Sequence, residues 1–297
     1  MLTDGFINVL KPPGMSSGAV AAMVRRVSGM KVGHAGTLDP EACGILPIMT
    51  GRAARLFDLL VEKEKTYLAE IAFGSATDTQ DAQGKVIARG DRFPSLQQLT
   101  EALPHFTGDI QQIPPMYSAL KLHGETLYKM ALKGEKADVP PRTVRVYSLE
   151  MIAGTSRNGA LLRIVCGRGT YIRTLCHDIG IYLGCPAHMR FLERTQSGVF
   201  TLDTAFTVEQ IKADWKACLL PPDYPLGHLT RWDVPSGLQA KCINGVSLRP
   251  GEWPGAPQGE MLRLYASGQL IGIFYGDGEG VLRPRCVLYS AQKEPIR

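Results

Sequence analysis

Nowhere in the 297 residues does an apolar run approach the roughly 20 needed to cross a bilayer as a helix. The opening residues, Met1-Leu2-Thr3-Asp4, carry no basic stretch ahead of an apolar one, so no secretory leader is read and the cytoplasm is the expected compartment. No Walker loop and no dinucleotide fingerprint is present, which argues against a nucleotide-driven or nicotinamide-dependent enzyme. Internal repeats and low-complexity segments are also missing. The seven cysteines are odd in number and irregularly spaced, the pattern of free thiols in a reducing compartment rather than of a disulfide framework. Within the set Cys166, Cys176, His177, Cys185 and His188, only Cys185-x-x-His188 has the close spacing of zinc ligands. Asp78-Thr79-Gln80-Asp81-Ala82-Gln83-Gly84 lacks the alternating oxygen ligands and closing Glu of a calcium loop and reads as a turn between strands.

What is present is an ordinary globular composition, 44% hydrophobic and 21% charged, in a chain long enough for one large or two ordinary domains. The net charge of +5 is modest. Its distribution says more: Arg25, Arg26, Arg52, Arg55, Lys63 and Lys65 flank residue 39, Lys121, Lys129, Lys133 and Lys136 follow Tyr117, and Arg168, Arg173, Arg190 and Arg194 cluster later. A basic face beside a carboxylate suits a polyanionic substrate, whose condensed counterions lysine and arginine displace.

Apolar alternation predicts strands over 5–10, 66–73, 85–88, 144–151 and 161–166, with Tyr67, Ala69, Ile71 and Phe73 sharing one face. Capping residues and spacing predict helices over 19–27, 52–60, 95–103, 126–132, 171–183 and 208–218. The segment 111–120 should be extended and 187–198 partly so. Strands and helices come in runs, which favours an α+β domain with a mixed, mainly antiparallel sheet flanked by helices. Leu219–Pro225 is the expected linker, dividing the chain into 1–224 and 225–297. The tail is turn-rich, with strands expected near 261–265, 270–274 and 287–289, and fits a small β-rich barrel.

One stretch carries chemistry: Val32-Gly33-His34-Ala35-Gly36-Thr37-Leu38-Asp39-Pro40, running on to Gly44-Ile45-Leu46-Pro47 and Arg52. Glycines and Pro40 around a single carboxylate exclude a helix interior, where glycine costs about 1 kcal/mol and proline about 3. Asp39 therefore sits on a loop, and a carboxylate with an ordinary pKa near 3.9 is an ionised nucleophile at neutral pH without assistance. Arg173 is a candidate partner, since a guanidinium can grip a carboxylate with two parallel hydrogen bonds.

Gly-His-x-Gly-x-Leu-Asp-Pro followed by Gly-x-Leu-Pro resembles the nucleophile loop of pseudouridine synthases of the TruB type. Four further segments resemble that family in order: Phe6–Ser17, Lys65-Thr66-Tyr67, Gln112–Lys121, and Gly167–Leu175. The resemblance covers about residues 5 to 200, and the tail is similar to the small RNA-binding PUA module that follows many such catalytic domains. It implies a tRNA uridine-55 isomerase with Asp39 as nucleophile, Arg173 as its partner and Tyr67 as the ring facing the base. It further implies that Tyr171 and Leu192 line the nucleotide pocket and that His34 lies beside a flipped nucleotide. The implied partner is the T-arm stem-loop of tRNA, with no obligate protein partner, a monomeric chain and no metal or organic cofactor. A guide-dependent ribosomal RNA synthase and a non-catalytic tRNA-folding factor remain the rival readings, and whether Asp39 attacks ribose or base is left open.

Overall fold

The computed structural model describes residues 4–289 apart from 62, 123, 136, 156–157 and 256–257; Lys136 of the basic run lies outside these. From the N-terminus, β1 (Gly5–Lys11) leads into α1 (Ser17–Ser28), β2 (Val32–His34) and β3 (Cys43–Thr50). A 3-10 turn over Gly51–Leu56 and α2 (Phe57–Val61) return the chain to β4 (Lys65–Phe73). The hairpin β5 (Ser75–Thr77) and β6 (Val86–Arg89) follows, then α3 (Leu96–Ala102), β7 (Gly108–Gln112), the short β8 (Lys121–Leu122) and β9 (Glu125–Thr126), and α4 (Leu127–Leu132). Next come β10 (Arg142–Thr155), β11 (Gly159–Cys166), α5 (Ile172–Tyr182), β12 (Ala187–Ser197), β13 (Phe200–Thr201) and α6 (Val208–Asp214). The chain closes with β14 (Thr230–Asp233), α7 (Ser236–Ile243), β15 (Met261–Ala266), β16 (Gln269–Gly276) and β17 (Leu282–Val287).

The large sheet runs β1-β3-β12-β4-β11-β10-β7, with β2 added to β3 and β13 to β12. Its pairings are antiparallel except where β12 meets β3 in parallel, at Glu193 with Cys43 and Arg194 with Gly44. The mixed, mainly antiparallel α+β reading therefore holds. Gly44 has a φ of 102°, and a side-chain carbon built there would lie 2.2 Å from the Arg194 carbonyl oxygen. Only glycine lets the two strands approach at that rung. One face of the sheet, including Tyr67, Ala69, Ile71, Leu192 and Ile164, packs with residues of α1 and α5 into the main core.

Local chemistry explains most boundaries. Ser16 caps α1 by accepting from the Ala19 amide, and Gly29 ends it in the left-handed region. Ser95 and Thr207 form capping boxes with Gln98 and Gln210. Three expectations shift. The 52–60 helix is divided into a 3-10 turn and α2. Helix α6 stops at Asp214 because that carboxylate takes the amides of Lys216 and Ala217, turning the chain. Segment 111–120 is strand only as far as Gln112.

The tail forms a separate four-stranded sheet, β14-β15-β16-β17. Closure into a barrel is not seen among the described residues. Its last strand lies at 282–287 rather than 287–289, because Pro284 reads as a strand breaker yet is tolerated on an edge strand. Helix α7 was not anticipated; among its residues only Cys242 is buried, so no apolar stripe marks it. The expected linker is no free tether either: Leu220 exchanges two backbone hydrogen bonds with Phe6, at 2.9 and 2.7 Å. A second apolar cluster spans both sheets, joining Phe6, Ile45, Leu56 and Phe200 to Leu226, Ile273 and Leu288. No helix among the described residues is long and apolar enough to cross a membrane.

Candidate active site

Asp39 sits in the loop between β2 and β3, and both flanks of that loop are fastened from below. The Ser17 hydroxyl, at the start of α1, donates to the Leu38 carbonyl at 2.9 Å and accepts from the Leu38 amide at 2.8 Å. Lys11, at the end of β1 and fully buried, spends its ammonium on the carbonyls of Pro12 (2.8 Å), Met15 (2.5 Å) and Pro40 (2.8 Å). Burial pushes the Lys11 ammonium down from its ordinary range, against the pull of nearby acidic groups that include Asp39. The Asp39 side chain stays 36% exposed, so a nucleotide can reach it.

Arg173 is the second residue of α5. The turn Gly167-Arg168-Gly169-Thr170 delivers the chain there, with Gly169 at φ 82°. The Gln112 side chain then clasps the backbone of Tyr171, donating to its carbonyl at 3.2 Å and accepting from its amide at 3.0 Å. So placed, the buried Arg173 guanidinium grips Asp39 with Nε to Oδ2 at 2.9 Å and Nη2 to Oδ1 at 3.3 Å. Its remaining donors go to the carbonyls of Thr79 (3.0 Å) and Tyr117 (2.9 Å), and Asp81 Oδ2 lies 3.6 Å from Nη1. A cation near a helix start opposes the helix dipole; here the position serves the carboxylate instead. Burial raises the Asp39 carboxyl above its usual range, Arg173 pulls it back, and the like charge of Asp81 adds to the rise.

Tyr67, on β4, is buried in the same region. Burial raises its phenol, the charge and hydrogen bond of Arg194 oppose that, and the charge of Asp39 adds to it. The Tyr67 phenol thus feels the charge of the carboxylate that Arg173 grips.

The sequence of this chain matches two family models, "TruB family pseudouridylate synthase (N terminal domain)" over residues 24–172 and "tRNA pseudouridylate synthase B C-terminal domain" over 173–226. It is 42% identical over 292 residues to the tRNA pseudouridine synthase B of Caldanaerobacter subterraneus, covering 96% of this chain and 99% of that one. It is 43% identical over 245 residues to the tRNA pseudouridine synthase B of Alkaliphilus oremlandii, covering 82% of each. The chain belongs to the TruB family of pseudouridylate synthases. Among solved structures, a Cbf5-Nop10-Gar1 complex aligns with a TM-score of 0.70 and 26% identity, over 94% of this chain and 80% of that one. An H/ACA ribonucleoprotein bound to a substrate RNA containing 2′-deoxyuridine aligns with a TM-score of 0.72 and 25% identity, over 96% and 85%.

The other residues singled out from the sequence lie on β2, at the start of α5 and on β12. His34 closes β2 opposite Ile48; burial and Arg194 lower its imidazole, and its Nδ1 is buried without a hydrogen-bond partner among the described residues. Tyr171 is the half-buried N-cap residue of α5. Leu192 is 6% exposed and belongs to the main core through β12.

Several neighbours were not assigned roles from sequence. Asp81 lay in a segment read only as a turn, yet that turn supplies Arg173 with a carbonyl and a carboxylate. Arg194 was grouped with a basic face but is 1% exposed; strand alternation from Leu192 would have placed it inward. Lys65, from the other basic run, is also buried and donates to the Lys63 carbonyl at 2.7 Å. Half-buried Arg52 donates to the Leu288 carbonyl, and Arg55, though exposed, donates to that of Val287. The exposed basic surface is therefore smaller than the clusters suggested, and Arg25, Arg26, Lys121 and Lys129 remain on it. Among the described residues no three His, Cys, Asp or Glu side chains gather where a metal could be held. Burial pushes the Cys166 and Cys176 thiols up to about 11 and 12.

Proposed function

We propose that this synthase isomerises the T-loop uridine at position 55 of tRNA to pseudouridine, with Asp39 as the nucleophile. The observation that carries the reading is the two-bond grip of buried Arg173 on Asp39, at 2.9 and 3.3 Å, which aims an accessible carboxylate and opposes the burial that favours its protonated form. The reaction breaks the N1–C1′ glycosidic bond, turns the base and forms a C5–C1′ bond; C5 loses a proton and N1 gains one. Nothing is oxidised and no group is imported, so the chain's own side chains suffice without metal or organic cofactor.

The uridine must first leave its stack, at a cost of a few kcal/mol. In this reading His34, on the half-buried end of β2, lies beside the rearranged RNA. Tyr67 faces the extracted base, and Tyr171 and Leu192 line its pocket. Residues 1–224 act as the catalytic domain and 225–297 as a PUA-like module gripping the same RNA. The enzyme works in the cytoplasm as a monomer, without a guide RNA or partner protein.

Asp39→Asn tests the central assignment: binding of an unmodified T-arm stem-loop should persist while pseudouridine formation disappears. An active Asp39→Asn protein overturns it. Incubating the purified chain with that stem-loop alone separates this reading from a guide-dependent one, which predicts no product. Measuring tRNA refolding with both proteins shows whether any folding activity is separate from catalysis.

A further inference from the structure

Arg194 heads the fully buried side chains by size and has no carboxylate in ion-pair distance among the described residues. An unpaired buried guanidinium carries a heavy desolvation penalty, and three oxygens share it. Nε donates to the Ile45 carbonyl at 2.7 Å and Nη2 to the Gly36 carbonyl at 3.2 Å. Gly36 precedes Asp39 in the loop and Ile45 follows it, so the guanidinium spans both flanks. The third oxygen is the Tyr67 hydroxyl. The sheet enforces this arrangement: on β12, Arg194 is the rung partner of Tyr67 on one side and of Gly44 on the other.

We propose that Arg194 is a positioning residue of the isomerisation, tying the Asp39 loop and the Tyr67 phenol into one rigid unit and setting the direction in which the phenol presents its proton. A guanidinium has donors only, so the phenol oxygen must accept from it. Tyr67's own O–H hydrogen then points away from Arg194. The groups that act on the phenol are Arg194 from β12, Cys166 from β11 and Asp39 from the loop; the latter two raise its pKa, and Arg194 alone of the three lowers it. His34 and Lys11 also feel the Arg194 charge. The inference rests on the roles given above to Asp39 and Tyr67.

Arg194→Lys keeps the charge, but one ammonium cannot reproduce the planar fork. With 13Cζ-tyrosine labelling and Tyr67→Phe for assignment, the Tyr67 signal should titrate at higher pH in Arg194→Lys than in the unaltered protein. The single-turnover rate should fall about 100-fold, the scale expected for a small misplacement of reacting groups, with stem-loop affinity unchanged. The Arg194→Lys, Tyr67→Phe double variant should be no slower than the slower single variant. An unmoved Tyr67 titration, or rate losses that multiply, overturns the proposal. Tyr67→Phe offers the same test without touching the buried arginine: the Arg194 terminal Nη–H resonances should shift, and unshifted ones count against the contact. These signals need no turnover, so their failure is distinct from failure of Asp39 as nucleophile, which Asp39→Asn decides.

Discussion

Asp39 is held between two opposing influences. Burial lifts its carboxyl and Arg173 lowers it, with the rise winning. A folded-state value above the unfolded one means the folded protein holds this proton more tightly than the open chain does. The stabilisation that goes with protonation is present below the unfolded value of about 3.9 and is lost as pH rises through the folded value. With Asp39 as the proposed nucleophile, catalysis has the opposite sign, because only the carboxylate can attack. The rate against pH should therefore show an acid limb whose midpoint lies above about 3.9, measured by single turnover on a stem-loop. Asp81→Asn removes the like charge that raises Asp39 and should move that limb to lower pH, while the loss of one Arg173 neighbour slows the reaction at neutral pH. At this scale Asp39, Tyr67 and Arg173 were legible because their residue types suit the chemistry and their surroundings break regular secondary structure or repeat a family pattern. Asp81 and Arg194 were not, since their partners lie far off in sequence and only the folded sheet brings them in.

Elements position these groups through a few contacts that can be cut singly. Ser17 bonds both polar groups of the Leu38 backbone, so Ser17→Ala leaves a buried amide and carbonyl unsatisfied. That should cost about 1–3 kcal/mol in urea unfolding and lower the catalytic rate by freeing the loop beside Asp39. Gly44→Ala forces a carbon against the Arg194 carbonyl in a left-handed backbone and should cost about 2 kcal/mol or more. A folded Gly44→Ala protein of unchanged stability would show that β3 and β12 do not meet as described. Elements with strong local signals, such as the capped α1 and the alternating β4, were readable from the chain. Helix α7 and β17 were not, the first lacking an apolar stripe and the second carrying Pro284 on an edge where its missing donor does no harm.

Across the molecule, the two sheets share an apolar seam rather than hanging from a tether. Ile273 belongs to the tail yet packs in the cluster that includes Phe6 and Ile45 of the large sheet. Ile273→Ala should cost about 2–5 kcal/mol, and the loss should reach Trp215 near α6 as well as Trp232 and Trp253 in the tail. Coincident urea transitions from these fluorophores would confirm joint unfolding; a separate early transition of the tail would refute it. The sequence indicated the second sheet but not the seam, because Leu226, Ile273 and Leu288 look like ordinary core residues until their partners across the boundary are known.

The stapling of the Asp39 loop by Lys11 and Ser17 has one more consequence. A loop that is already set before its substrate arrives has little left to arrange, so the slow movement falls to the RNA. Loosening the intrinsic tertiary contacts of the proposed T-loop substrate would then hasten turnover, whereas making the protein more supple would not.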